Sequence, residues 1–480
     1  MDFPIFHLDF MGDRMLIAVI AVIHVIINHA LAVGFLPIVT LMEYRGYRMK
    51  KLGNPESEEW DELAYKLMFF AFIVTTSIGA LTGVGIWFSA ALISPASIGS
   101  LIRVFFSVWF FEWIIFVLEV VFIMIYFLSW KRSRENLEKK KNHVRVGAAL
   151  SLFSWFTMAI IVGILGFMMD TGSWNQNKTL LDGFFNPIYP VQLAFRTPMA
   201  FVMGGAAALF LTLYHLKKHS DFRAKVLKNL NLWMFLWTPH VFAAGIFYYY
   251  KIPGLMVGNL PVAIGTQAFQ NWYDSLLYLL FATIIVSMMV NAWMVIKPKW
   301  SSKYLMLITL FVVMFTMGTF ERVREFIRKP YVIEDYMYSN QLRVDDYEKF
   351  KRDGLLRHSV YVKHGEINDL NKLEAGKDVF MIACSRCHTI SGVNSVINKF
   401  EDMFTPNGES LDKDKVLQYI PVMEKARYFM PPFPGNDKEA EALTEFIISE
   451  QYSRNYLHGA QSSGVDVSLS HLKEIKEGGS

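Results

Sequence analysis

Both cysteines of this 480-residue chain fall in one run of five residues, Cys384-Ser-Arg-Cys387-His388. Two thiols separated by two residues and followed at once by an imidazole form the attachment signature of c-type haem. The thiols add to the haem vinyl groups, and the His388 imidazole reaches the iron as proximal ligand. A surface zinc or redox pair is the plainer reading of the same spacing. The flanking residues favour haem. Upstream, KLEAGKDVFMIACSRCH carries an apolar-patterned helix into the motif, and downstream Tyr428-Phe-Met430-Pro-Pro-Phe-Pro-Gly435 presents a methionine in a proline-rich loop. Prolines stiffen that backbone, so the Met430 thioether is expected as sixth iron ligand, with Met423 as the alternative; Met/His ligation raises the reduction potential.

A second group of reactive residues lies inside apolar runs, where ionisable side chains are costly and are functional candidates by default. His24 and His29 are five residues apart, which separates them by about 140° around a helix, so they are not expected to share one metal. Glu112 and Glu119 are seven apart and fall within about 20° of one helical stripe. His240 sits in LWTPHVF, and Arg196, Glu321, Glu325 and Arg328 lie towards the ends of later apolar runs. Each buried histidine alone reads as a satisfied hydrogen-bonded core residue, and the glutamates as a structural pair. Three mid-membrane histidines beside a covalent haem favour axial ligation of b-type haems, with the glutamates carrying protons to a buried site or ligating iron themselves.

The elements that must position these groups follow from composition. Hydrophobic residues make up 53% of the chain and charged residues only 19%, against roughly 25% charged in a soluble domain. Disorder, collagen and a disulfide-stapled domain are excluded. Apolar runs at roughly 15–42, 66–94, 101–130, 145–169, 194–216, 229–250, 273–296 and 303–324 are long enough to span a bilayer, and their lack of alternation selects helices. The flank MDFPIFHLDFMGDR lacks a basic region, so the first run reads as a retained helix and not a signal peptide. The connection KRSRENLEKKKNHVR carries seven Lys/Arg against two Glu; Lys217, Lys218, Arg223, Lys225 and Lys228, and then Lys297, Lys299 and Lys303, follow in alternate loops. The positive-inside rule then places both ends of the membrane region outside, in the periplasm of a bacterial inner membrane, which is where haem c is attached. Short basic runs between apolar blocks point to lipid and not to nucleic acid as partner. From about 329 the chain turns charged and helical. The expected division is a membrane haem-binding module 1–328, a linker 329–369, a cytochrome c domain 370–455 closed by a helix at about 437–451, and a tail 456–480.

Two resemblances extend this reading. Residues from roughly 370 to 452 resemble class I cytochrome c, through the CxxCH run and the Met430 loop. Residues from roughly 12 to 335 resemble subunit I of the cytochrome bd quinol oxidase family. The run DRMLIAVIAVIHVIINHALAVGFLPIVTLMEY looks like that family's first helix, which implies that His24 ligates an active-site haem and that Met42-Glu43 is the cytoplasmic Met-Glu pair. In EWIIFVLEVVFIMIYFLSW, Glu119 falls on the family's buried acidic position, and Glu112 is a shifted equivalent of its earlier glutamate. Phe185-Asn-Pro187 looks like the start of the fifth helix. Arg324-Glu325-Phe-Ile-Arg328-Lys-Pro330-Tyr is similar to the ending whose glutamate ligates haem and whose arginine lies near propionates, which gives those roles to Glu325 and Arg328.

The departures carry information. The histidine of the quinol-side haem falls on Arg196, which cannot ligate iron, and its methionine partner falls near Leu277. The connection at about 251–272 is short, and the ninth helix is missing. His29 and His240 have no family counterpart and are expected to hold a relocated haem. The resemblance thus implies an all-α fold: about eight transmembrane helices in bd-like bundles, plus a C-terminal periplasmic cytochrome c domain. The cofactors implied are one covalent haem c, haem b, and haem d as an open alternative.

Two functions fit. In the first, a respiratory bd-like oxidase takes electrons through haem c from a soluble periplasmic cytochrome or other redox protein and reduces dioxygen. In the second, a conduit carries electrons from membrane quinol through b haems and haem c to a periplasmic acceptor. A second membrane subunit is an expected partner in both. A haem-anchored assembly subunit is a third class, and the lack of inverted repeats argues against a transporter.

Overall fold

Eight helices among the described residues are long and apolar enough to cross a membrane. They are α1 Asp13–Lys51, α2 Glu56–Ile93, α3 Phe106–Leu128, α4 Leu137–Phe167, α5 Ile188–His215, α6 Asp221–Tyr249, α7 Gln270–Ile296 and α8 Lys303–Ile327. The chain is thus an all-α, multi-pass membrane protein. This computed structural model describes residues 4–217, 220–406 and 410–462; most of the expected tail lies outside them.

Several helices run well past the apolar stretches that announce them. Hydropathy marks only the lipid-immersed part, whereas the hydrogen-bond ladder continues into charged turns. Helix α1 goes on through Tyr44-Arg-Gly-Tyr-Arg-Met-Lys-Lys51. Helix α2 begins with Glu56, Glu58 and Glu59 in its first turn, where negative charge complements the helix dipole.

Two π-helical stretches interrupt the long helices, Asn28–Gly34 in α1 and Thr75–Gly79 in α2, and they pack against each other. The wider turn leaves carbonyls short of their i+4 partners. In α2 hydroxyls fill in: Thr75 donates to the Ala71 carbonyl at 2.8 Å, Thr76 to Phe72 at 2.6 Å and Ser77 to Ile73 at 2.5 Å.

The chain divides into two compact units. The larger comprises Ile20–Trp87 and Ser100–Arg328. Its central element is α5, which packs against α1, α4, α6 and α8. Small residues make that position possible. An added Cβ at Gly34 would lie 1.8 Å from the Ala200 carbonyl oxygen, and one at Gly204 would lie 2.3 Å from the Gly34 carbonyl carbon. The backbones of α1 and α5 therefore touch, the small-residue mode of helix contact in membranes. Around this crossing Phe35, Leu36, Val39, Leu67, Met203 and Val226 form the buried core.

The second unit gathers the described parts of Met1–Val19, Phe88–Gly99 and Lys329–Ser480. Its helices are α9 Lys372–Ala383, α10 Val396–Phe404, α11 Lys413–Tyr419 and α12 Asp437–Ser462. Helices α9 and α12 cross closely: a Cβ on Gly376 would lie 2.0 Å from the Ala442 carbonyl oxygen.

The stretch 329–369, expected as a linker, is part of this unit's core, which corrects that expectation. It holds an antiparallel hairpin, β1 Tyr331–Ile333 with β2 Met337–Tyr338, in which Tyr331 pairs with Tyr338. Leu342, Tyr347, Phe350, Leu355 and Leu356 are buried in one cluster with Val379, Phe380 and Phe446. The buried Glu439 carboxylate on α12 accepts from the backbone N–H groups of Leu355 at 2.9 Å, Leu356 at 2.8 Å and Asn436 at 3.0 Å. A carboxylate satisfied by three N–H donors anchors the segment firmly. The stretch Phe88–Gly99 is held as well, since Gln341 donates to the Ile93 carbonyl at 2.8 Å and accepts from Ala96 N–H at 3.2 Å.

Candidate functional site

In the second unit, α9 delivers the cysteine motif. The chain winds on past Ala383: Cys384 N–H donates to Phe380 at 2.9 Å, and Cys387 and His388 both donate to the Cys384 carbonyl, at 3.0 and 2.9 Å. The two thiols and the imidazole thus ride on one tight turn, and both cysteines are free.

The next loop orients the imidazole. Asn394 adopts a left-handed conformation (φ 59°), its side-chain amide donates to the Cys387 carbonyl at 2.7 Å, and its own carbonyl faces His388 Nδ1 at 3.1 Å. A carbonyl can only accept, so Nδ1 carries the proton and Nε2 keeps its lone pair for a metal. Burial, together with the Lys329, Lys399 and Arg14 charges nearby, pushes the His388 pKa down to about 4. The ring is therefore neutral at pH 7, as ligation requires. Burial, reinforced by Cys387, pushes the Cys384 thiol up to about 12. Cys387 is also buried, but Arg14 and Lys329 outweigh that and lower its pKa.

This donor set fits a covalently held haem: two thiols outside any disulfide and one imidazole whose Nε2 makes no hydrogen bond among the described residues. Among the described residues no three His, Cys, Asp or Glu side chains gather to hold a metal ion by themselves. Met430 is half-buried next to the buried Phe429, and its N–H donates to Arg427 at 2.8 Å. Met423, the alternative ligand, packs against the buried core of this unit instead.

In the membrane unit, His24 shows the same design. Its Nδ1 faces the Gly79 carbonyl and the Thr82 hydroxyl, both at 3.2 Å. Gly79 closes the π stretch of α2, so the bulge presents that carbonyl to the ring. A Cβ on Gly83 would stand 3.1 Å from His24 Cε1, so glycine is what lets α2 pass so close. His24 Nε2 makes no hydrogen bond among the described residues.

His29 and His240 are not brought together. His29 is buried within the π stretch of α1, and its Nε2 accepts from Arg196 at 3.1 Å. The lone pair that iron would need is engaged by a guanidinium. Arg196 in turn pairs with Glu321 at 2.5 Å, and Glu321 with Arg324 at 3.1 Å. Arg196, expected near a cofactor, is thus the centre of a buried ionic cluster drawn from α1, α5 and α8. His240 is exposed on α6, its Nδ1 donating to the Leu236 carbonyl at 2.9 Å.

Glu119 on α3 accepts from Ser154 at 2.5 Å and from Thr157 at 3.1 Å, both on α4. Glu112 is half-buried two turns away on the same stripe. Glu325 accepts through both carboxylate oxygens from Arg328, at 2.8 and 2.7 Å, and Arg328 also approaches the Met168 sulfur at 3.4 Å.

Sequence reasoning missed one constellation. Glu43, fully buried, is met by the Tyr126 hydroxyl at 2.7 Å, His143 Nδ1 at 2.5 Å and Lys140 Nζ at 2.6 Å. Lys140 also pairs with Asp61, which Arg134 holds at 2.5 Å. His143 Nε2 faces the Tyr126 carbonyl at 2.7 Å. Both ring nitrogens thus face oxygen atoms. Two clues were legible: Tyr126 continues the seven-residue stripe of Glu112 and Glu119, and His143 lies in the basic run KRSRENLEKKKNHVR.

No family model matches the sequence, and no curated protein matches it. The likeness is one of architecture: the chain is similar in fold to a bd oxidase from Geobacillus thermodenitrificans, with a TM-score of 0.56 at 15% identity, over 68% of this chain and 90% of that one.

Proposed function

We propose that this chain is a membrane-bound respiratory haem oxidoreductase of bd type, in which electrons enter through a covalent haem c and reduce dioxygen at a membrane haem held by His24. The observation that carries it is the pair of imidazoles prepared alike. His388 and His24 each have Nδ1 tied to a backbone carbonyl, and neither Nε2 makes a hydrogen bond among the described residues. When bound, the haems supply the electron carriage and the oxygen chemistry.

The chain's own residues do the rest. Cys384, Cys387, His388 and Met430 would hold haem c, and a soluble periplasmic cytochrome or other redox protein would be its donor. Glu119 is a carboxylate set between two hydroxyls that can relay a proton, and Glu112 lies two turns along the same helix. Glu325 and Arg328, an ion pair at the end of α8, would serve a haem held by His24, the carboxylate as a candidate iron ligand and the guanidinium as a partner for its carboxylates. Arg196, on which the resemblance puts the histidine of the quinol-side haem, is paired with Glu321 instead, and this supports entry of electrons from haem c instead of quinol. The bis-imidazole conduit loses ground because His29 Nε2 accepts from Arg196 while His240 lies exposed on another helix. A second membrane subunit would cover exposed aromatic faces such as Phe110, Phe111 and Trp113 on α3. The orientation with haem c in the periplasm rests on the loop charges.

A carbon monoxide difference spectrum of the reduced, purified protein tests this. An open haem position gives a CO-induced band. A protein whose spectrum is unmoved by CO is a conduit or an assembly subunit and not an oxidase.

A further inference from the structure

We propose that residues 4–14, the segment leading into α1 together with its first two residues, form a clamp on the proximal side of the haem c site, with Asp9 as its positioning residue. This rests on the haem c reading of the cysteine motif and adds to it a second set of residues that the motif does not contain.

The contacts are specific and lie within one unit. The Asp9 carboxylate accepts from Ile390 N–H at 2.5 Å, from the Ser391 hydroxyl at 3.0 Å and from Ser391 N–H at 3.4 Å. These residues follow His388 directly. The backbones fit as closely as the side chains: a Cβ on Gly392 would lie 1.9 Å from the Asp9 carbonyl oxygen. Gly12 takes the left-handed φ of 82° that turns the segment over the loop, and its Cβ position lies 3.4 Å from the Thr389 methyl. The turn is closed from within, Gly12 N–H donating to Leu8 at 2.7 Å and Leu8 N–H to the Asp13 carboxylate at 3.0 Å.

The motif itself is held too. The buried Arg386 donates to the Phe6 carbonyl at 3.4 Å and lies 3.9 Å from the Asp13 carboxylate. Arg14 Nη1 stands 3.4 Å from Cys387 Sγ. Three parts of the haem attachment are therefore gripped: Arg386, the Cys387 sulfur, and the loop after His388.

The consequence follows from what that loop does. Its far end is Asn394, whose carbonyl orients His388 Nδ1. Asp9 pins the near end at Ile390 and Ser391, so the imidazole plane is fixed from both sides. Groups that orient a ligand from behind also tune the metal it binds. Asp9 touches neither iron nor haem and acts through the loop.

His7 makes the grip sensitive to pH. It lies 3.5 Å from both Asp9 and Asp13 and edge-on to the Phe380 ring; Arg386 lies 3.9 Å from the same Asp13 carboxylate. Burial lowers its pKa, but the Asp13 and Asp9 carboxylates outweigh this and the net shift is upward. Its contribution is thus full below the ordinary histidine value of about 6.5 and is lost as pH rises through the raised one. The clamp loosens on the alkaline side.

The test uses the full-length protein and two readouts: amide hydrogen exchange over Ile390–Asn394, and the low-spin electron paramagnetic resonance signal of oxidised haem c, which reports the imidazole orientation. Asp9→Ala is expected to speed exchange at Ile390 and Ser391 at least tenfold and to shift the haem c signal. Asp9→Asn keeps an acceptor and is expected to restore most of both. Ser391→Ala removes a single bond, gives a smaller shift, and serves if Asp9→Ala does not fold. An unchanged haem c signal in Asp9→Ala, or in Ser391→Ala where that stands in, overturns the proposal whatever the exchange rates do. A pyridine haemochrome showing no haem c in the wild-type protein overturns the haem reading instead, and the two failures are distinguishable.

Discussion

Met430→Ala protein, purified with its haem c attached, is expected to show a midpoint potential lower by at least about 0.1 V, within the roughly 0.8 V over which axial ligands set haem potentials. The thioether is a neutral, soft ligand that favours ferrous iron; without it the sixth position passes to water or stays open. At about 59 mV per tenfold for one electron, that loss is roughly fiftyfold in the equilibrium with any donor. Electron entry from a high-potential periplasmic cytochrome then becomes the slow step. Met423→Ala is the control. Its side chain packs on the core of the same unit, so it is expected to lower thermal stability and leave the potential near wild type. Redox titration at the haem c α-band separates the two. The same potential in Met430→Ala and wild type moves the ligand assignment to Met423 or elsewhere.

His24→Ala is expected to have the larger effect on turnover. It removes the imidazole whose Nε2 is free and whose Nδ1 is held by Gly79. The pyridine haemochrome should fall by one membrane haem per chain, the CO-induced band should vanish, and dioxygen uptake should drop to background. Haem c should stay at one per chain, since its ligands belong to the other unit. Thr82→Val grades the effect: it deletes one of the two groups facing Nδ1 and keeps the carbonyl, which is expected to cost about tenfold in haem retention or activity. A full complement of membrane haem in His24→Ala would remove this residue from the site.

The eight spans are legible in the sequence because each is a continuous apolar run longer than a core helix needs. Their ends are not, because α1 and α2 continue through charged turns that water satisfies as well as helix does. The proposed haem c motif is legible because its chemistry is local: two thiols and one imidazole in five residues. What surrounds it is not. Leu342, Tyr347, Phe350 and Leu356 are scattered among charged residues and reveal a core only when α9 and α12 lie beside them. The fit of Asp9 to Ile390 joins residues at opposite ends of the chain, and no pattern in either segment announces it.

The same limit governs the intramembrane charges. Cost alone flags His29, Arg196 and Glu321, but their pairing needs the geometry of α1, α5 and α8. Glu43, Lys140 and His143 were harder still, since a basic connection between helices reads as a topology marker before it reads as a partner for a buried carboxylate. His24 is the reverse case: its position was legible by resemblance, and the π stretch that supplies the Gly79 carbonyl was not.

Stopped-flow mixing of the ascorbate-reduced, purified protein with dioxygen, followed at the haem c α-band, is the decisive measurement. If haem c feeds a dioxygen-reducing haem at His24, haem c reoxidises rapidly in the wild-type protein and only by slow autoxidation in His24→Ala. Reoxidation that is equally slow in both proteins would mean that electrons do not pass from haem c to dioxygen through this chain.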